Sequence, residues 1–348
     1  MPRKPLAKKR KLPVASPRAT GNVTLADVAK LAGVSPITVS RVLNRPELVT
    51  AETIAHVQQC IDRTGYVPNL LAGALVSKRT KLVAAIVPSI TNAIFVEAVQ
   101  ALTDRLWEAG YQVLLGLSGY PPAREEALLA AVLSRRPDAI YLTGINHSAA
   151  TRQRLLAARI PVVETWDMTR TPIDMLVGFS HDKLGAAVAR HLLAKGHRRI
   201  GMVWADDERA LARRRGFLAE MKRNGITDVA IVTVPAPSTL TLGRQGLAQL
   251  LGTGQAPTAA FCSSDLLAHG ALEEARSRGL AVPRDLALIG FGDLEFTRHT
   301  FPALSTVRVD RAAIGRIAAD LILARIAGNT PPTRVVDVGF EIVDRGTT

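Results

Sequence analysis

Two groups of side chains in this sequence have the types and spacing to do chemistry. The first lies on a short segment opening at Pro36. There Ile37, Thr38, Ser40 and Arg41 are left pointing outward once Val39, Val42 and Leu43 turn inward at helical spacing. Arg41 carries the guanidinium fork that matches O6 and N7 of a guanine. Thr38, Ser40 and Asn44 carry groups able to hold phosphate oxygens. The second group follows apolar, strand-like runs: Ser89, Asn92 and Phe95 after the first run, Glu164 and Asp167 after 161–163, Ser264 after Cys262, and Asp293 after the last long one. Carboxylates there suit sugar hydroxyls, and a guanidinium would hold a ligand carboxylate in a bidentate pair. Covalent chemistry finds no foothold. There is no phosphate-binding loop, Gly-x-Ser-x-Gly turn or His-Glu-x-x-His pair, and Gly290-Phe-Gly292 lacks the third glycine of a dinucleotide loop. Two cysteines, Cys60 and Cys262, make neither a disulfide framework nor a metal cluster. No enzyme, metal or cofactor is expected.

The elements that would position these groups differ along the chain. Thr24 to Asp27 reads as a capping box, followed by Leu25, Val28, Ala29 and Leu31 at helical spacing. Gly33 permits a tight turn. Ser35 and Pro36 restart the chain as a cap and a first helical residue, and a third helix opens at Thr50 with Ile54, Val57 and Ile61 on one face. Two helices joined by a glycine turn are a helix-turn-helix. A generic three-helix bundle would leave the local charge without purpose. Of the net +14 on 348 residues, +10 falls on residues 1–81, the electrostatic footprint of nucleic-acid binding.

Beyond residue 81, apolar strands alternate with amphipathic helices, which implies parallel sheets with helices on both faces. Such a region of about 260 residues is large for one sheet, and a break near 160–175 points to two lobes with a ligand cleft at the strand ends. No apolar run reaches the ~18 residues of a membrane span. The basic N-terminus has no apolar core behind it, unlike a signal peptide, so a cytoplasmic protein is expected. A sugar-binding transport component, which would need that signal, is the remote alternative.

The run from Val23 to Asn44, VTLADVAKLAGVSPITVSRVLN, together with Gly65-Tyr-Val-Pro-Asn69, resembles the DNA-binding signature of the lactose-repressor family. The resemblance continues through Val87–Asn92, Gly196–Ile200, Ser263–Asp265 and Ile289–Asp293. It implies a small all-α helix-turn-helix domain joined to an α/β two-lobed domain like periplasmic sugar-binding proteins, crossed three times by the chain. The domains implied are a basic disordered tail over 1–22, the helix-turn-helix over 23–66, a hinge over 67–81 and the effector-binding and dimerisation domain over 82–348.

The same resemblance places Pro36 and Ile37 at the operator-selecting positions, Arg41 at a further base contact, and Thr24 among the DNA contacts. Asn69 caps the hinge segment, and Leu75 stands where a leucine wedges into the minor groove, although Gly73 replaces the usual arginine two residues earlier. Arg213 takes the position that reaches the effector. Val163–Asp167, Met175–Phe179 and Phe261–Asp265 resemble the gluconate-repressor branch. Ser264 and Gly292 stand where sugar repressors more often carry Asn and Asp, so a sugar acid is the expected effector. The implied partners are a pseudo-palindromic double-stranded DNA operator, a small-molecule effector and a second copy of the chain. Effector would turn one lobe against the other and release DNA. A corepressor- or partner-protein-dependent regulator is the alternative on the same scaffold.

Overall fold

The computed structural model describes residues 23–67, 79–91, 93–254 and 256–348. The chain divides into two compact units, the break falling between residues 76 and 77.

The small unit is built by its caps. In α1 (Leu25–Ala32) the Thr24 side chain accepts from the Asp27 amide, and the Asp27 carboxylate accepts from the Thr24 amide at 3.0 Å. Gly33, at φ +66°, ends the helix in the left-handed conformation that favours glycine. Ser35 caps α2 (Pro36–Asn44), with proline pre-set at its first position, and Thr50 caps α3 (Ala51–Thr64). Val28, Val39 and Val57 are fully buried between the three helices. Leu31, expected on the inner face, is instead 44% exposed.

The larger unit has two parallel sheets. The first lobe holds β1 (Leu82–Val87), β2 (Gln112–Leu117), β3 (Ala139–Thr143), β4 (Val162–Thr165) and β5 (Met175–Gly178), joined at one edge by β11 (Val335–Asp337) in the order β11-β5-β4-β3-β1-β2. The second holds β6 (Ile200–Ala205), β7 (Ala230–Val234), β8 (Ala259–Cys262) and β9 (Ala287–Ile289) in the order β7-β6-β8-β9. Alternate residues of β1, Val83 and Ala85 against Ala84 and Ile86, enter different cores on the two faces of the sheet. This explains the near-continuous apolar runs in sequence.

The first lobe carries α4 (Val96–Glu108), α5 (Pro122–Leu133) and α6 (Ala149–Ala158), joined by a helix from later in the chain. The second carries α7 (His181–Ala194), α8 (Glu208–Arg223), α9 (Leu240–Leu251) and α10 (Asp265–Ser277). The chain crosses between lobes three times: after β5, after β10 (Thr306–Arg308) into α11 (Arg311–Ile326), which packs on α4, and from β11 to β12 (Glu341–Val343), which pairs antiparallel with β10.

The break expected near 160–175 is not a lobe boundary. Val163 and Glu164 of β4 pair in register with Met175 and Leu176 of β5, so the intervening residues are a loop within one sheet. The first crossing comes later, after Gly178.

One packing detail positions the site. A Cβ on Gly185 of α7 would lie 1.9 Å from the Arg213 carbonyl oxygen, and one on Gly216 of α8 would lie 2.0 Å from that of Asp182. The two helices therefore cross with their backbones in contact, which only glycine permits. Gly216→Ala should destabilise the larger unit by ~1–3 kcal/mol through overpacking. Urea denaturation of the full chain checks this, and an unchanged midpoint would contradict the close crossing.

Candidate functional site

The outer face of α2 gathers Pro36, Ile37, Ser40, Arg41 and Asn44, which the helical repeat sets on one side, opposite buried Val39 and Val42. Ile37 is 64% exposed. Asn44 donates to the Ser40 carbonyl at 2.9 Å, and the Thr38 and Ser35 hydroxyls are 2.9 Å apart, so these polar groups are held in place locally. Thr24 caps α1, its hydroxyl and amide both engaged with Asp27. Asn69 and Leu75, together with the tail 1–22, lie outside the described residues.

In the larger unit a cavity of about 530 Å³, open solvent included, lies between the lobes. Phe95 and Trp166 wall it from the first lobe, and His181, Arg213, Ser264 and Phe291 from the second. Arg213 is 4% exposed. Its Nη2 donates to the Ser263 carbonyl at 2.9 Å, and its guanidinium carbon stands 4.1 Å from the centre of the Phe291 ring. Nη1 meets Nδ1 of His181 at 3.1 Å, while Nε2 of His181 meets the Trp166 carbonyl at 2.8 Å. The carbonyl can only accept, so Nε2 carries the proton and Nδ1 accepts from Arg213. Burial, with Arg213 and Arg209 adding repulsion, lowers the His181 pKa well below its ordinary value, in keeping with that neutral tautomer. Burial also lowers Arg213, to about 10, and leaves it cationic near neutrality. Its Nε is buried and finds no hydrogen-bond partner among the described residues. Such a donor is costly unless a ligand completes it.

Arg209, one helical turn before Arg213, stands 5.3 Å from the Phe95 ring centre and lines the same cavity. Asp265, also in the wall, is committed inward. It accepts from Thr306 Oγ1 at 2.5 Å and the Leu294 amide at 2.8 Å, and burial raises its pKa to about 6. Ser264 caps α10.

Of the residues singled out in the sequence, Phe95, Arg213 and Ser264 meet in the cavity wall. Asp167 does not line it. It is half-buried and within electrostatic reach of Arg209 and Arg213; burial raises its pKa, which the Met168 amide and those two arginines oppose. Ser89 is tied into a turn with Thr91, and Asn92 is outside the described residues. Glu164 and Asp293 are corrections to the strand-end expectation. β4 runs to Thr165, so Glu164 lies inside it and alternates to the face opposite Val163, where it accepts from the Ile173 amide at 2.5 Å and faces His147. Asp293 is consumed by Arg345 and Arg308, at 2.5 and 2.6 Å, and Arg298 at 3.4 Å, and those pairings outweigh burial to hold its carboxyl at about 2. Trp166, His181, Arg209 and Phe291 escaped the sequence reading. Trp166 immediately follows β4, so the strand-end signal was present one residue before Asp167.

A family profile described as bacterial regulatory proteins, lacI family, matches residues 24–69, and one described as a periplasmic binding protein-like domain matches residues 189–348. The HTH-type transcriptional regulator GntR of Pseudomonas aeruginosa is 39% identical over 333 residues, which cover 95% of this chain and 97% of that protein. The HTH-type transcriptional regulator IdnR of Escherichia coli is 31% identical over 322 residues, 92% and 97% of the two chains. Among solved structures, a LacI family transcriptional regulator from Silicibacter pomeroyi superposes with a TM-score of 0.89 at 34% identity, over 93% of this chain and 99% of that one. The lac repressor dimer bound to operator and the anti-inducer ONPF gives 0.80 at 26% identity, over 94% and 99%.

The pairing of Glu164 makes a prediction of its own. His147 lies 2.7 Å from Glu125 and 3.5 Å from Glu164. Burial disfavours its charge, but the bonds to Glu125 and then Glu164 outweigh it and raise the pKa to about 9. A group raised on folding stabilises fully below its unfolded value, ~6.5, and loses that contribution as pH rises through the folded value. Stability to urea should therefore fall between pH 6.5 and 9, and His147→Phe should flatten that fall. An identical slope in the variant would contradict the assignment.

Proposed function

The chain belongs to the lacI family of bacterial regulatory proteins, and from that premise we propose that it represses transcription from an operator it releases on binding a sugar acid. Members of this family are DNA-binding transcription regulators rather than enzymes, and they act on operator DNA in response to small molecules. Repression by this chain would place it in the bacterial cytoplasm, on the nucleoid when bound. No helix among the described residues is long and apolar enough to cross a membrane.

The observation that carries the sugar-acid reading is Arg213. A cation buried between two lobes, with a donor left open, calls for an anion, and a carboxylate fits a guanidinium edge. The similarity to GntR and IdnR, and the resemblance of Val163–Asp167 to the gluconate-repressor branch, favour an aldonate such as gluconate. Its carboxylate would sit on Arg213, with Ser264 facing its hydroxyls. Two chains would dimerise through the larger unit and set two α2 helices on a pseudo-palindrome. On DNA, Arg41 would read a guanine edge, Pro36 and Ile37 thymine methyls or shape, and Thr38, Ser40 and Asn44 the phosphates. Residues 1–22 would add non-specific attraction, 67–81 would act as the hinge with Asn69 capping it, and Leu75 would enter the minor groove.

Calorimetry of the full chain should show saturable gluconate binding, weakened at least ~30-fold in Arg213→Ala, the loss that follows when one partner of a buried charged pair is truncated. Absence of binding to gluconate and related aldonates at millimolar concentration would end the sugar-acid reading. Separately, Arg41→Ala should remove ~1–3 kcal/mol of discrimination between operator and random DNA while salt-sensitive binding survives. Unchanged discrimination in a fluorescence-anisotropy titration would remove Arg41 from the interface.

A further inference from the structure

The cavity is walled by segments from opposite lobes, and one side chain outside it ties them together. Ile94 and Phe95 line it from the first lobe, just before α4, and Phe291 and Leu294 line it from the second, just after β9. Beside the first pair stands Glu97, in the first turn of α4, and between the second pair lies Gly292. Arg311, the first residue of α11, sits where the chain crosses back from the second lobe to the first.

Its Nε donates to Glu97 Oε2 at 2.7 Å, and Nη2 forms an ion pair with the same oxygen, also at 2.7 Å. Its Nη1 donates to the Gly292 carbonyl, and the Asp293 carbonyl lies 3.4 Å from Nη1 and Nη2. One planar fork thus serves a carboxylate of one lobe and the carbonyls of the other, which the compact ammonium of a lysine could not span. The walls are close at this point. A Cβ built on Gly292 would stand 3.5 Å from Cδ1 of Ile94 and 3.2 Å from Oδ2 of Asp265, and the residue holds φ +135°, a region for glycine. An isolated surface ion pair would contribute little. Here the Arg311 side chain is only 15% exposed, and it also carries backbone carbonyls of the cavity wall.

We propose that Arg311 is a positioning residue for the cavity: by tying Glu97 to the Gly292 carbonyl it fixes the spacing of the two walls and so sets ligand affinity without touching ligand. This rests on the cavity being the effector site, and the test separates the two ideas. Full-length wild type, Arg311→Ala, Arg311→Lys and Glu97→Gln are compared by amide hydrogen exchange without ligand and by calorimetry with gluconate.

In Arg311→Ala, exchange over residues 93–98 and 291–295 accelerates at least tenfold while amides of β6 and β8 keep their wild-type rates. Gluconate binding weakens at least tenfold, Arg311→Lys and Glu97→Gln fall between the two, and ligand-free operator affinity stays within twofold. Unchanged exchange in both segments overturns the proposal. So does acceleration throughout the larger unit, which makes Arg311 a general stabiliser, and so does locally faster exchange with unchanged gluconate affinity. If wild type fails to bind gluconate, the sugar-acid reading falls, and the exchange comparison still decides whether the clasp exists.

Discussion

A guanidinium buried between two lobes is the constraint around which the larger unit is organised. Removing Arg213 from water carries a desolvation cost that, among the described residues, no carboxylate at hydrogen-bond distance offsets. Its compensation is assembled from neutral groups: the Ser263 carbonyl, the lone pair of a neutral His181 and the face of Phe291. Each comes from a different element. His181 is fixed by the Trp166 carbonyl of the other lobe, and the helix carrying Arg213 is fixed by the crossing at Gly185 and Gly216. The open Nε is the remainder of that compensation. Occupancy of the cavity by an anion would therefore be sensed by elements of both lobes at once.

The small unit follows a different physical logic. Its core is little more than Val28, Val39, Val57 and their neighbours, and its helices start where side chains satisfy the first amides. That economy leaves the outer face of α2 free to be chosen for recognition, which is where an exposed isoleucine is tolerated. Its charge does the remaining work. Most of the net +14 lies in residues 1–81, so affinity for DNA should be dominated by phosphate neutralisation, with α2 adding the discrimination.

How much was legible in the sequence follows from how local each feature is. The caps at Thr24, Ser35 and Thr50 involve residues three apart, and all were readable. Apolar runs announced β1 to β9, buried on both faces except at the edge strands β2 and β7, whereas β10, β11 and β12, three residues each, carry no pattern of their own. The loop 166–174 imitated a domain boundary because its polar residues interrupt two strands that nonetheless pair. In the site, position along a strand was readable but side-chain direction was not. β4 ends two residues later than the apolar run 161–163, which leaves Glu164 inside the strand and Trp166 at its end in the cavity wall. His181, Arg209 and Phe291 depend on how the lobes meet, which no local pattern encodes.

If cavity and operator are coupled sites of one regulator, the coupling is reciprocal. Gluconate affinity measured by calorimetry on the free full-length protein, and again on the same protein saturated with its operator, tests it directly. Gluconate should bind more weakly to the operator complex, by the same factor by which saturating gluconate weakens operator binding. Equal gluconate affinity in the two states would contradict it.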